Sequence, residues 1–247
     1  MHLHESFYIT AMIPSMLAAS LKKYEHIYHK IVPFNAQQDK LLRMDFTFHN
    51  NTLTQDTIND TEKFSYYIDA KLEKSGALYG IGGYNENRVL YSRSNNYGGT
   101  NGEEPRRLHL GIDIWGKAGT PVFAPFGGMV HSFAFNDQFA DYGATVILLH
   151  QLDGYAFYTL YGHLSLQDIA GLKEGDYIII GQEFAHFGVA AENGNWPPHL
   201  HFQVIKEMQW KRGDYPGVCK LSEQEKYLAN CPDPDLILQM MQYTKEA

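Results

Sequence analysis

The fold of this chain is decided by two short stretches, HLGIDI at residues 109–114 and HLHFQV at residues 199–204. Side chains in a β-strand point alternately to opposite faces of the sheet, so each stretch has one polar face and one apolar face. On the polar face of the first stretch His109 stands with Asp113, and the second stretch aligns its two histidines in the same way. The sequence therefore predicts two strands that cover a core with one face and present imidazole and carboxylate groups on the other.

A third stretch, FYTLYGH at residues 157–163, is predicted to be a strand that ends at His163. Alternation places Tyr161 on the same face as His163. The hydroxyl of Tyr161 is therefore a candidate for hydrogen-bonding a bound peptide carbonyl, and the alternative is that its ring belongs to the core.

The segment at residues 76–220 is rich in β-forming residues and in glycine turns such as Gly82-Gly83 and Asp153-Gly154. Short strands separated by such turns are typical of an antiparallel β-sandwich or open barrel. The candidate strands are residues 109–114, 121–124, 128–134, 144–150, 155–161, 176–180 and 200–205. We therefore predict a mainly β fold whose main domain is this segment.

Residues 1–75 have a different character, because their apolar residues recur at helical spacing. The pattern from Leu17 to Ile31 predicts an amphipathic helix that begins after Pro14. A half-buried strand near residues 42–48 follows, and then a second helix that ends at Gly76. The prediction is an N-terminal α+β extension.

The C-terminal tail, residues 221–247, is predicted to be helical, since Ser222 and Glu225 have the spacing of a capping box. Of the two cysteines, Cys219 lies just before this tail and Cys231 lies within it, and they do not form a C-x-x-C pair. That spacing argues against a thiolate zinc site or a thioredoxin-like motif, and it leaves both a disulfide and two free thiols open.

The charge balance excludes whole classes of partner. Lys and Arg number 20 against 28 Asp and Glu, which gives a formal net charge of -8, and the surplus lies mostly in residues 76–247. Such a chain repels a phosphate backbone, so nucleic acid is excluded as a partner. No apolar run approaches the roughly 20 residues of a membrane span, and no basic N-terminal segment marks a secretory signal. The sequence predicts a cytoplasmic protein, or one of the cell envelope if an export signal has been removed.

The chain contains 12 histidines, which is the feature that composition leaves to be explained. Any one short motif is a weak signal, and His2-Leu3-His4 carries no argument for a site. Zinc takes neutral imidazole and carboxylate ligands, and a catalytic zinc keeps three protein ligands and a water. A His, Asp, His set would supply those ligands and would leave two histidines for proton transfer and oxyanion stabilisation.

The order of H-x-x-x-D, YGHL and HLHF, with AGTPVFAPFGGMV between them, resembles the lysostaphin/LytM-type zinc metallopeptidases. Most members of that family are endopeptidases of bacterial cell-wall peptides. The resemblance implies three ligands for one Zn²⁺ per chain: His109, Asp113 and His201. It also implies a catalytic pair that acts on the water and the oxyanion: His163 and His199.

Stretches such as GGYNENRVLY and ENGNWPPHLHFQVI are similar to a subset of these peptidases that also occurs between a kinase-like and an aminotransferase-like domain. The predicted function is zinc-dependent hydrolysis of a peptide bond in peptidoglycan-type or Gly-containing peptides. The alternatives are an intracellular zinc amidase or peptidase with a non-wall substrate, and a non-catalytic peptide-binding regulator. Degenerate regulators lose metal ligands, and this sequence keeps the full set, which favours the enzyme.

Overall fold

A computed structural model of the chain describes residues 16–99 and 102–245. The β-strands are β1 (Leu41–Met44), β2 (Tyr79–Gly82), β3 (Arg106–His109), β4 (Ile112–Trp115), β5 (Pro121–Phe123), β6 (Gly128–Asn136), β7 (Gly143–Leu152), β8 (Tyr155–Leu164), β9 (Tyr177–Ile178), β10 (Glu183–His186), β11 (His199–Ile205), β12 (Val218–Lys220) and β13 (Thr244–Lys245). The helices are α1 (residues 16–23), α2 (Gln55–Asn59), α3 (Thr61–Ser75), α4 (Leu166–Ile169), α5 (Gln224–Asn230) and α6 (Asp235–Leu238). In these ranges no helix is long and apolar enough to cross a membrane.

Nine strands form one sheet in the order β13-β1-β2-β4-β11-β8-β7-β6-β9, and β10-β5 and β12-β3 form two small sheets. The mainly β prediction is therefore confirmed, with an open sheet and no closed barrel. The sheet is mixed, because β1 runs parallel to both β2 and β13 while the other pairs are antiparallel. Parallel neighbours need a crossover connection, which α2 and α3 supply between β1 and β2.

The N-terminal extension packs onto the main sheet. Leu17 and Leu21 of α1 belong to the same buried cluster as Ile114 of β4 and Leu200 of β11. Since β1 also pairs with β2, the sheet continues across the predicted boundary between residues 75 and 76, and that division stays a prediction.

The first helix is shorter than the sequence pattern predicts. Helical residues end at 23 and a 3-10 turn follows at Glu25–Ile27, so Ile31 packs into the core from a loop. The predicted start at Pro14 and the His2-x-His4 motif lie outside the described residues. The second predicted helix corresponds to α3, and it ends at Gly76 as predicted. Gly76 adopts φ +65°, and its N–H hydrogen-bonds to carbonyl groups of the last helical turn.

The C-terminal tail differs from the predicted capping box. Ser222 lies in a 3-10 turn, Leu221–Glu223, and its hydroxyl donates to the carboxylate of Glu104 instead of capping a helix. Cys219 and Cys231 are both buried free thiols, and burial raises the pKa of Cys219 to about 11 and that of Cys231 to about 12. The tail therefore carries no disulfide and no reactive thiolate.

A buried histidine in the sheet gives the stability of the fold a pH dependence. His150 is 2% exposed, its Nδ1 lies 2.9 Å from the Gly127 carbonyl oxygen, and its Nε2 lies 2.6 Å from Thr159 Oγ1. Burial lowers the pKa of His150 to about 4. Because an unfolded histidine titrates near 6.5, the unfolded state takes up the proton first, and stability is lost as the pH falls from about 6.5 to about 4.

We expect this single group to reduce the free energy of unfolding by up to about 3 kcal/mol across that pH range. Denaturant unfolding of the wild type and of His150→Gln at several pH values measures the effect, because all other groups contribute equally to both proteins. The wild type should lose more stability than the variant as the pH falls. An equal loss in both proteins would contradict the assignment.

Candidate metal centre

Three predicted ligands converge on one point in the described part of the chain. His109 Nε2 lies 3.0 Å from His201 Nδ1, and Asp113 Oδ1 lies 3.3 Å from the former and 3.0 Å from the latter. All three side chains are buried, with their ligand atoms within 4.8 Å of one another. Three ligand atoms this close are arranged to share one small cation.

In each ligand imidazole, one nitrogen faces the centre and the other, outer nitrogen points away from it. The hydrogen bond of the outer nitrogen fixes which of the two carries the proton. His109 Nδ1 lies 3.0 Å from the Gly83 carbonyl oxygen, which can only accept a hydrogen bond. His201 Nε2 lies 3.0 Å from Gln203 Oε1, also an acceptor. Each outer nitrogen therefore carries the proton, and the inner nitrogen keeps a lone pair, which is the usual way that proteins orient metal-binding histidines.

The protonation states also suit a cation. Burial lowers the pKa of His109 to about 4, so its imidazole is neutral at pH 7. Burial opposes the ionisation of Asp113, but its electrostatic interactions with His109 and with the Arg88 guanidinium outweigh it and hold the pKa of this carboxyl well below its usual range. Two neutral nitrogens and one carboxylate oxygen form a donor set that fits one Zn²⁺.

Strand pairing brings these ligands together in a way that differs in part from the prediction. Asp113 on β4 lies opposite His201 on β11 in an antiparallel register, so the polar faces that alternation predicts for the two strands meet. The predicted strand at residues 109–114 is wrong, because His109 ends β3, which pairs with β12, and β4 begins only at Ile112. His109 thus reaches the centre from a neighbouring sheet.

Gly111, in the break between β3 and β4, is required by close packing. A Cβ atom at this position would lie 2.5 Å from His201 Cε1 and 2.8 Å from the carbonyl oxygen of Phe202. Real Cβ contacts are not this short, so any larger residue would displace the His201 ring or the backbone behind it.

We expect Gly111→Ala to weaken zinc binding by about 10- to 100-fold, the range typical when groups that orient metal ligands are lost. Competition with a chelating dye measures the dissociation constant. Gly171→Ala is the matched control, since a Cβ at Gly171 meets nothing within 4 Å and this glycine has no positive φ. Equal zinc affinity in both variants would show that His201 does not depend on this gap.

Two further histidines, His163 and His199, lie beside the three ligands with their ring centroids 4.1 Å apart. His163 Nδ1 lies 2.8 Å from the Asn193 carbonyl oxygen, and His199 Nδ1 lies 2.8 Å from that of Pro197. Each ring therefore donates through Nδ1 and keeps Nε2 as its basic nitrogen. Burial, followed by unfavourable electrostatic interactions with His199 and His201, holds the pKa of His163 well below its ordinary value, and burial lowers that of His199 to about 4.

Tyr161 is not part of this group. It is fully buried, its ring packs against Phe184 and Phe202, and its hydroxyl hydrogen-bonds with Thr159 Oγ1 at 3.1 Å. The expectation that it shares a face with His163 does not hold, and the core alternative describes its environment.

The reason is a local break in strand geometry. His163 has φ +63°, a conformation that is uncommon for residues other than glycine, and the β7-β8 ladder shifts register nearby. The backbone twist turns the His163 side chain away from the face of Tyr161 and places its ring near His199. Strained residues of this kind are frequent at functional sites.

A cavity of about 340 Å³ opens over the centre. Its inner wall holds the site residues Asp113, His163, His199 and His201 together with Trp115, whose ring stacks on His199 at 3.8 Å. Charged side chains of both signs also line the cavity: Arg106, Asp141, Lys211 and Asp214. Aromatic rings also line the cavity: Tyr91, Tyr97, Tyr142, Trp196 and Tyr215.

The sequence patterns missed several residues of the site. Arg88 is buried and its Nη1 donates to Asp113 Oδ2, and the hydroxyl of Tyr142 lies 3.4 Å from His201 Nε2. Both come from loops, where no periodicity marks them, and the only signal for Arg88 is a charge next to the apolar run Val-Leu-Tyr. Asn96 lines the cavity, but its side-chain amide donates to the Phe139 carbonyl.

Comparisons with known proteins find similarity to peptidases. Residues 107–212 match the model of Peptidase family M23. An L-Ala--D-Glu endopeptidase of Bacillus subtilis (strain 168) is 28% identical over 137 residues, which cover 52% of this chain. The catalytic domain of the antimicrobial peptidase lysostaphin from Staphylococcus simulans is 22% identical over 66% of this chain and 96% of that one, with a TM-score of 0.39. A zinc containing peptidase from Vibrio cholerae is 28% identical over 40% of this chain and 27% of that one, with a TM-score of 0.32.

The match with the Bacillus subtilis protein covers 40% of that protein's length. The three proposed ligands and the two neighbouring histidines all lie inside the matched range 107–212.

Proposed function

We propose that residues 107–212, which match the model of Peptidase family M23, form a peptidase domain of the lysostaphin/LytM type that the motifs indicate, and that the chain is a zinc-dependent endopeptidase. The observation that carries the proposal is the convergence of five side chains on one buried centre, four of which line the cavity over it. Three of them form a buried donor set for one cation, and the other two present basic nitrogens beside it.

His109, Asp113 and His201 would hold the zinc ion. Bound there, zinc would supply a water of lowered pKa and would polarise the scissile carbonyl group. Because each imidazole proton is fixed on the outer nitrogen by Gly83 or Gln203, the ligand set needs no rearrangement to bind a cation. Preorganisation of this kind lowers the free-energy cost of binding.

His163 and His199 would carry the proton chemistry. Both are neutral at pH 7 because burial lowers their pKa values, so either Nε2 can accept a proton from the attacking water. Once protonated, an imidazole becomes a donor that can stabilise the oxyanion or protonate the leaving amine. The backbone carbonyls of Asn193 and Pro197 hold the two rings in the required orientation through Nδ1.

We propose peptidoglycan-type or Gly-containing peptides as the substrate. The matched relatives are named as an L-Ala--D-Glu endopeptidase and as an antimicrobial peptidase. The charges of both signs that line the cavity suit a peptide with carboxylate and ammonium groups near the scissile bond: Arg106, Asp141, Lys211 and Asp214.

Digestion of muropeptides and of a panel of Gly-rich peptides by the zinc-loaded protein, with products mapped by mass spectrometry, tests the proposal. We expect one peptide bond to be cleaved, with a water added across the two products, and no cleavage by His163→Ala. Intact substrates throughout would contradict the enzymatic function. Cleavage of general peptides but of no wall-type or Gly-rich peptide would contradict the proposed substrate and favour the non-wall peptidase.

A further inference from the structure

Arg88 connects the proposed metal centre to a second buried carboxylate. Its side chain is 1% exposed, Nη1 donates to Asp113 Oδ2, and Nε donates to Glu86 Oε2 at 2.6 Å. The Glu86 side chain is 14% exposed and that of Asp113 is 4% exposed. Arg88 therefore lies between two carboxylates, and one of them is a proposed zinc ligand.

The surrounding chain is built to accept this guanidinium. A Cβ atom at Gly82 would lie 2.6 Å from Arg88 Nη2, so a larger residue at this point of β2 would require the guanidinium to move. The aromatic ring of Phe46 lies 5.4 Å from the guanidinium carbon. Burying a cation costs several kcal/mol unless it is paired. Here the guanidinium directs its N–H donors at two carboxylates, so its charge is paired.

The two carboxylate oxygens of Asp113 face different groups. Oδ2 accepts from Arg88, while Oδ1 faces His109 and His201. A carboxylate held in this way presents one oxygen, Oδ1, to the centre. The positive charge behind it also withdraws electron density from that oxygen, and groups behind a metal ligand are known to tune the metal in this way.

We propose that Arg88, oriented by Glu86, is a positioning residue that fixes Asp113 as a one-oxygen ligand and thereby sets the affinity and coordination geometry of the zinc site. This inference rests on the proposed metal site. It assigns a role to a residue outside the matched range 107–212, in the loop between β2 and β3.

The test compares Arg88→Met with Arg93→Met in two metal-binding measurements and one stability measurement. Arg93 is a matched control, since it is also buried and packs on Trp196, while its hydrogen-bond partner Thr61 is not a metal ligand. Chelator competition gives the zinc dissociation constant, the visible spectrum of the Co²⁺-substituted protein reports coordination geometry, and thermal unfolding of the metal-free protein reports stability.

We expect Arg88→Met to weaken zinc binding by about 10- to 100-fold and to shift the Co²⁺ bands. Arg88→Lys should restore part of the affinity, since it returns the charge without the fork. Arg93→Met should change thermal stability alone. Wild-type affinity and an unchanged Co²⁺ spectrum in Arg88→Met would overturn the inference while leaving the zinc site in place.

Two further results are decisive. If Arg88→Met does not fold, Glu86→Gln decides, because it keeps an acceptor for Arg88 but removes the orienting charge. Weaker zinc binding and shifted Co²⁺ bands in Glu86→Gln would support the inference, and wild-type values would overturn it. If the wild-type protein itself binds no zinc, the proposed function fails, and this inference fails with it.

Discussion

Replacing His163 with alanine is expected to lower kcat/KM for peptide hydrolysis by about 10²- to 10⁴-fold while one zinc ion stays bound, and His199→Ala should behave alike. Both rings line the cavity, but neither residue supplies one of the three ligand atoms that converge on the centre. Losing either ring removes a proton acceptor or an oxyanion donor and leaves the ligand set intact. Steady-state kinetics, together with metal analysis of the same preparations, measures both effects.

Tyr161→Phe is the matched control for His163, since it alters the same strand but only within the core. Its hydrolysis should equal that of the wild type. Loss of zinc from His199→Ala or His163→Ala, with zinc retained in His201→Ala, would mean that the ligand and catalytic roles are exchanged.

Replacing His201 with alanine is expected to abolish both metal binding and hydrolysis. The variant loses one of three ligand atoms and leaves Asp113 buried beside an empty volume, so the remaining pair is a poor zinc site. A bound metal contributes several kcal/mol to transition-state stabilisation, and its loss should lower kcat/KM by at least about 10³-fold. His109→Ala should give the same result, because Nε2 of His109 faces the same point.

His131→Ala is the control for His201→Ala, because it removes a histidine that is not a proposed ligand. His131 is a half-buried strand residue of β6 whose partners are Ser132 and Tyr158, far from the ligand set in the sheet order. This variant should keep its zinc and its activity. If His201→Ala retained full hydrolysis at full zinc content, the ligand assignment would be contradicted.

The sequence predicted the parts of this site that follow regular strand geometry. Asp113 and His201 lie opposite each other because two alternating strands pair in register, and that alternation can be read from the residues themselves. The end of α3 at Gly76 could also be predicted from the sequence. A helix often ends at a residue in the left-handed conformation, which favours glycine, and this requirement is local.

The patterns failed where local geometry departs from the regular strand. Alternation places His163 with Tyr161, but a positive φ at His163 sends the two side chains to different faces. The break at Gly111 depends on the ring of a residue on another strand, so no local pattern contains it. Arg88 lies in a loop, and its burial results from tertiary contacts with Glu86 and Asp113 that sequence spacing does not specify.

The central claim is that His109, Asp113 and His201 hold one zinc ion. The most direct test is the zinc content of the purified wild type and of Asp113→Ala, measured by mass spectrometry of the metal after zinc loading and dialysis against metal-free buffer. We predict about one zinc per chain in the wild type and almost none in the variant. A wild type without zinc, or a variant that keeps its zinc, would contradict the account.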